Sequence, residues 1–199
     1  MKLLFYCIML CLVGCSVSKD PRRAYVRDLQ KGKIKEDTSY VYGLPYETGK
    51  SHLVVQGYFS HYSHKERIAV DIAMPKGTKV CAARDGVVVT VVENNTRGGL
   101  SKKNLPFANR VIVQHEDGTR AGYWHLEHNG ALVKVGDTVK RGQVIGLSGR
   151  TGYTAMYHLH FFVWKLMPRG NSQQIPTRFH TSNGDVYLRP FHRYRKIAE

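Results

Sequence analysis

From Pro45 onward the chain is a succession of short apolar runs rich in Val and Ile, each closed by a turn signal. No segment keeps a convincing helical period for more than three turns. Runs of this kind, bounded by Gly, Pro, Asn and Asp, read as strands. Residues 68–73, 86–93, 110–115, 119–126, 144–148 and 158–166 fit the pattern. Asp117-Gly118, between two of them, is a hairpin signal because both residue types tolerate the positive φ of a tight turn. The predicted fold class is mainly β, a sandwich or partly open barrel with few short helices. The 199 residues suffice for one domain plus a short extension, and a hydrophobic content of 42% supplies a core without disulfides. Residues 94–107 read as a long loop, which suits either a groove rim or a solvated excursion. Residues 171–199 are expected to pack as an extended segment against the sheet.

The N-terminal segment carries a different signal. Lys2 precedes an apolar run over residues 3–13. Eleven residues are too few to cross a hydrocarbon core of ~30 Å as a helix, but they suit the apolar region of a secretory signal. The run ends in Leu12-Val13-Gly14-Cys15, which resembles the lipobox of bacterial lipoproteins. That resemblance implies removal of residues 1–14, lipidation of Cys15, and three acyl chains in a Gram-negative host. Several chains hold a protein stably at a membrane where one does not. Ser16 after the cysteine, rather than Asp, implies the periplasmic face of the outer membrane in such a host. Residues 15–44 read as the lipidated N-terminus and a polar tether, with a short helix over 22–30, and residues 45–199 as the folded domain. Cys7 and Cys11 fall within the removed segment, so an acylated Cys15 leaves Cys81 unpaired as a small buried hydrophobe.

The formal net charge of +15 suits polyanions: nucleic acid, anionic lipid or an acidic cell-wall polymer. Lys and Arg are dispersed, and neither an aromatic-interleaved RNA motif nor a C2H2 pattern is present, so no nucleic-acid partner is expected.

Ten histidines are many for this length. His158-Leu159-His160 opens an apolar strand, where positions i and i+2 share a face, so both rings point into one site. Asp71 lies within an apolar strand, which is costly for a carboxylate unless it is paired or bound to a metal. His64 precedes it by seven residues. Histidines plus an aspartate, with one position open, form the ligand set of catalytic zinc. His125 ends another strand and is a candidate proton carrier. His115 reads as structural.

At this point the chain resembles the LytM and lysostaphin type of zinc metallopeptidase, on the duplicated hybrid motif fold. The resemblance rests on an ordered set of blocks across residues 61–166. They are Ala69-Val70-Asp71, Pro75-Lys76-Gly77-Thr78, Asp85-Gly86-Val87-Val88, Asn109-Arg110-Val111-Ile112-Val113, Tyr123-Trp124-His125-Leu126, Val135-Gly136-Asp137, Ser148-Gly149-Arg150-Thr151-Gly152 and His158-Leu159-His160-Phe161. It implies one zinc per domain held by His64, Asp71 and His160, with His125 and His158 as catalytic non-ligands. It also places Asn109 and Tyr123 at the substrate and makes peptidoglycan the partner of a monomeric chain in the cell envelope. Many relatives carry the first ligand four residues before the Asp, where this chain has Arg67; His64 matches a variant spacing, and His61 is the fallback. Tyr157 stands where Pro often precedes the histidine pair.

Two rivals remain. Residues 135–146 also resemble half of a biotinyl or lipoyl carrier, but no Lys sits at a hairpin tip to carry the group. Relatives that have lost ligands act by binding, as murein-binding activators of other hydrolases. Here Asp71, His125, His158 and His160 are all present.

Overall fold

The computed structural model describes residues 18–36 and 39–198. The apolar run and Cys15, with the expected signal and lipidation, lie outside the described residues. Among the described residues, no helix is long and apolar enough to cross a membrane.

A nine-stranded antiparallel sheet organises the domain. Its strands, in chain order, are β1 (Ser51–Gln56), β2 (Val70–Ala73), β3 (Gly86–Val92), β4 (Arg110–Gln114), β5 (Arg120–Trp124), β6 (Thr138–Val139), β7 (His158–Leu166), β8 (Ser172–Ile175) and β9 (Arg193–Arg195). The spatial order is β6-β3-β4-β5-β7-β2-β1-β9, with β8 paired to the far half of β7. The sheet stays open. A three-stranded sheet of Lys79–Cys81, Val144–Ser148 and Leu126–Ala131 accompanies it.

β7 fixes the register. Leu159, Phe161 and Val163 turn into the core, while His160, Phe162 and Trp164 take the other face. His160 lies opposite both Asp71 on β2 and Trp124 on β5. A slip of one residue would put imidazoles in the core and a phenyl ring in the site, so apolar burial itself specifies where the histidines go.

Three expectations are corrected. Residues 119–126 do not form one strand. β5 ends at Trp124, His125 adopts φ 67°, and the chain continues in the smaller sheet from Leu126. The 94–107 loop contains a two-residue parallel pairing of Gly98–Gly99 with Gly152–Tyr153, then a 3-10 turn at Lys102–Phe107 capped by Ser101. The tether expected to reach residue 44 is largely folded onto the domain. A helix, α1 (Arg22–Gln30), buries Val26 and Leu29 and bonds through Gln30 to the Leu188 carbonyl. Val41–Gly43 pairs in parallel with Arg178–Thr181, with Tyr42 and Leu44 buried. The apolar side chains are sparse in this charged stretch, yet their spacings of three and two residues are those of a helix and a strand.

The C-terminal segment packs against the sheet as expected, but as regular strands rather than as a single extended strap. It supplies β8, β9 and the hairpin of Arg178–Thr181 with Gly184–Tyr187.

Candidate metal centre

Four histidines and one aspartate converge on the face of β7 opposite the core. β2 and β7 supply Asp71, His158 and His160 by their register. His125 enters from the corner after β5, where its positive φ turns the ring inward. His64 comes from the irregular segment before β2. All five are buried, with relative exposures from 1% at His64 to 9% at His125.

Asp71 Oδ1 is the focus. His160 Nδ1 lies 2.7 Å from it, His64 Nε2 3.2 Å and His158 Nε2 3.5 Å. His64 Nε2 and His160 Nδ1 are 3.1 Å apart. The ligand atoms of His64, Asp71 and His160 all lie within 4.8 Å of one another.

The outer nitrogens of these rings fix their tautomers. His64 Nδ1 donates to the Gly57 carbonyl at 3.2 Å, His125 Nδ1 to the Thr151 carbonyl at 2.7 Å and His158 Nδ1 to the Met156 carbonyl at 3.0 Å. In the neutral rings Nε2 is then a lone pair. For His64 and His158 that lone pair faces a carboxylate oxygen, an arrangement that is repulsive unless a proton or cation lies between. Two imidazole nitrogens and one carboxylate oxygen are also the donor set that zinc accepts. The residues therefore fit the metal. Asp71 Oδ2 accepts from Gln56 Nε2 at 2.7 Å, a support of the kind that orients metal-binding carboxylates.

Electrostatics follows from this crowding. Burial alone would raise the pKa of Asp71, but bonds from His158, His160 and His64 hold it well below the ordinary carboxylate value. Burial, and then the neighbouring His158 and His160, push His125 down to about 3. Burial likewise lowers His160 against the pull of Asp71. At His158 burial is outweighed by the bond and charge of Asp71, and the pKa rises.

The structure brings together His64, Asp71, His125, His158 and His160. His61 is exposed and takes no part in the donor group. His115 is buried elsewhere, its Nδ1 on the Asp85 carbonyl at 2.7 Å. Asn109 and Tyr123, expected at the substrate, are core residues with no exposed surface. Asn109 joins three backbone groups: its Oδ1 accepts from Asn95, and its Nδ2 donates to the Asn95 and Glu127 carbonyls. The Tyr123 hydroxyl accepts from the Ala83 N–H at 2.8 Å, and its ring packs edge-on against Phe161. Gln56 and the carbonyls of Gly57, Thr151 and Met156 have no signal in the sequence, because each acts through pairing or backbone position.

The sequence profile described as Peptidase family M23 matches residues 64–175, more than half of the chain. The chain belongs to peptidase family M23. All five site residues lie inside the matched span of this M23 domain. The glycyl-glycine endopeptidase ALE-1 of Staphylococcus capitis is 32% identical over 163 residues, which cover 82% of this chain and 40% of that protein. The peptidoglycan DD-endopeptidase ShyA of Vibrio cholerae is 43% identical over 101 residues, 50% of this chain and 20% of that one. The M23 chain thus spans less than half the length of either relative. Among solved structures, the catalytic domain of the antimicrobial peptidase lysostaphin from Staphylococcus simulans aligns with a TM-score of 0.45 at 32% identity, covering 63% of this chain and 87% of that one.

Proposed function

We propose that this M23 chain is a zinc-dependent endopeptidase that hydrolyses peptide bonds in bacterial peptidoglycan. The observation that carries the reading is the convergence of His64 Nε2, Asp71 Oδ1 and His160 Nδ1 in one buried group, with two further histidines beside it. Zinc held by those three residues supplies Lewis acidity toward a scissile carbonyl and toward water.

The other steps belong to His125 and His158. Their rings lie 4.7 Å apart, and each is fixed at Nδ1 by a carbonyl. Each therefore presents Nε2 to the site, where it takes a proton from the attacking water or returns one to the departing amine. The bond from Gln56 Nε2 to Asp71 Oδ2 would hold the carboxylate in place, so that the site enters the reaction pre-oriented. Lipidation of Cys15, which the lipobox resemblance supports, would make the chain a lipid-anchored protein of the cell envelope, at the periplasmic face of the outer membrane in a Gram-negative host.

Zinc content and murein digestion, measured together, test the assignment. His160→Ala and His64→Ala should lose most of the metal and all hydrolysis, whereas His61→Ala should lose neither. His125→Ala should keep stoichiometric zinc and lose roughly 10²–10⁴-fold in turnover. Loss of zinc from His125→Ala as complete as from His160→Ala would overturn the division of roles. A wild-type chain that holds zinc yet releases no peptide from murein would be a binding protein instead. Cys15→Ala should leave the membrane fraction, and unchanged partitioning would refute the anchor.

A further inference from the structure

The alternation that aims His160 into the metal centre carries Phe162 and Trp164 along the same face of β7. Trp124 joins them from β5. Gly122, two residues earlier on that strand, has no side chain, and the indole of Trp124 lies in the space that a β-carbon there would need. Trp124 stacks on Phe162 with centroids 4.7 Å apart and meets Trp164 at 6.1 Å. Phe162 touches His160 at 5.4 Å and Trp164 at 5.1 Å. The result is an aromatic strip that begins at a metal-site histidine and runs roughly 13 Å along β7 at ~3.3 Å per residue. The core does not need it, since Leu159, Phe161 and Val163 fill the opposite face.

The strip floors a groove of about 760 Å³, within the size range of small-ligand sites. Its rim is polar: Glu66, Arg67, Ser172 and Gln173. Arg22 also borders it, but its guanidinium is engaged by Asp20 at 2.7 Å and by the Gln174 carbonyl at 3.2 Å. Glu66 and Arg67 carry opposite charges. On a chain of net charge +15, this groove is close to neutral. An acidic peptide gains nothing from such a lining. A neutral ligand with C–H-rich faces and hydroxyl and amide edges matches it: ring faces on the aromatics, polar edges on Gln, Ser, Glu and Arg.

We propose that this groove is a glycan subsite that holds N-acetylhexosamine rings of the peptidoglycan strand beside the metal centre. The inference rests on the peptidoglycan reading above and adds a second contact, to the sugar that bears the cleaved peptide. Uncleaved parts of a substrate held in this way help to orient the reacting bond.

Trp124 and Trp164 are the two tryptophans of the chain, so tryptophan emission reports on this groove and, through Trp124, on the adjoining His160. The intact chain is titrated with a peptide-free tetrasaccharide of β-1,4-linked N-acetylhexosamines, and separately with free stem peptide. The saccharide should change the emission saturably. Trp164→Ala should weaken its binding about tenfold, the scale of one lost aromatic contact, with Trp124 as the remaining reporter. Trp164→Phe, which keeps an aromatic ring, should retain most of the affinity and guards against a folding defect. The inference falls if the saccharide leaves emission unchanged, if Trp164→Ala binds it as well as wild type, or if only the stem peptide produces the change. Murein digestion is scored apart from this. A chain that releases peptide but ignores the saccharide keeps the endopeptidase reading and loses the subsite. A chain that binds the saccharide but releases no peptide keeps the subsite and loses the endopeptidase reading.

Discussion

His125 joins two functions in one residue. Its φ of 67° lies in the left-handed region, which costs a non-glycine residue roughly 1–2 kcal/mol. The corner it makes passes the chain from one sheet to the other and turns the ring into the site. Ala at this position would keep the strain, whereas Gly would relieve it. His125→Gly should therefore unfold at higher denaturant than His125→Ala, by about 1 kcal/mol, while both lose turnover. Equal stabilities would show that the corner carries no strain. Gln56 is a second test at this scale. It holds Asp71 Oδ2 and is itself held, since its Oε1 accepts from Ser60 and the Ser63 N–H. Gln56→Ala should lower zinc affinity about 10–100-fold, read by competition with a chromophoric chelator. Unchanged affinity would reduce Gln56 to a surface bond.

At the scale of elements, the N-terminal helix is part of the folded unit. Val26 and Leu29 on α1 are 1% and 3% exposed and join the same apolar cluster as the sheet. Leu29→Ala should destabilise the whole domain by about 2–5 kcal/mol, the usual cost of truncating a buried leucine. Chemical denaturation of the intact chain reads this directly. A loss below about 0.5 kcal/mol would return the helix to a tether.

At the scale of the molecule, the buried histidines set the response to acid. Burial pushes His52, His115, His125 and His160 below 6.5, so on acidification the unfolded chain takes up protons that these folded rings resist. Their contribution to stability is full above about 6.5 and falls as pH drops through that value toward the folded pKa values, which for His125 is about 3. His158 works in the opposite sense, because Asp71 raises its pKa. With four histidines lowered and one raised, the metal-free protein should have a lower Tm at pH 5 than at pH 8. His115→Gln, remote from the metal centre, should flatten that dependence. A Tm insensitive to pH across this range would contradict the assignment. Bound zinc should steepen the acid limb, since protons compete for its histidine ligands.

The strand residues of the site are legible in the sequence alone. The period of β7 places His158 and His160 on one face, because alternation along a strand is a local property that neighbours cannot change, and the cost of a carboxylate within an apolar run singles out Asp71. Five of the six expected strands hold within one or two residues, and α1 matches its expected span of 22–30. Family resemblance favours His64 over His61, and burial separates them: His64 is 1% exposed and His61 lies on the surface. What sequence cannot supply depends on partners distant along the chain. Gln56 meets Asp71 only because β1 pairs with β2, and Trp124 meets Phe162 only because β5 pairs with β7. Resemblance puts Asn109 and Tyr123 at the substrate, yet backbone groups from other segments satisfy both inside the core. The N-terminal segment reads as a tether because charge dominates its composition, while four apolar side chains are enough to dock it. Local periodicity determined which residues share a face; long-range pairing decided which faces meet and which polar groups remain free to do chemistry.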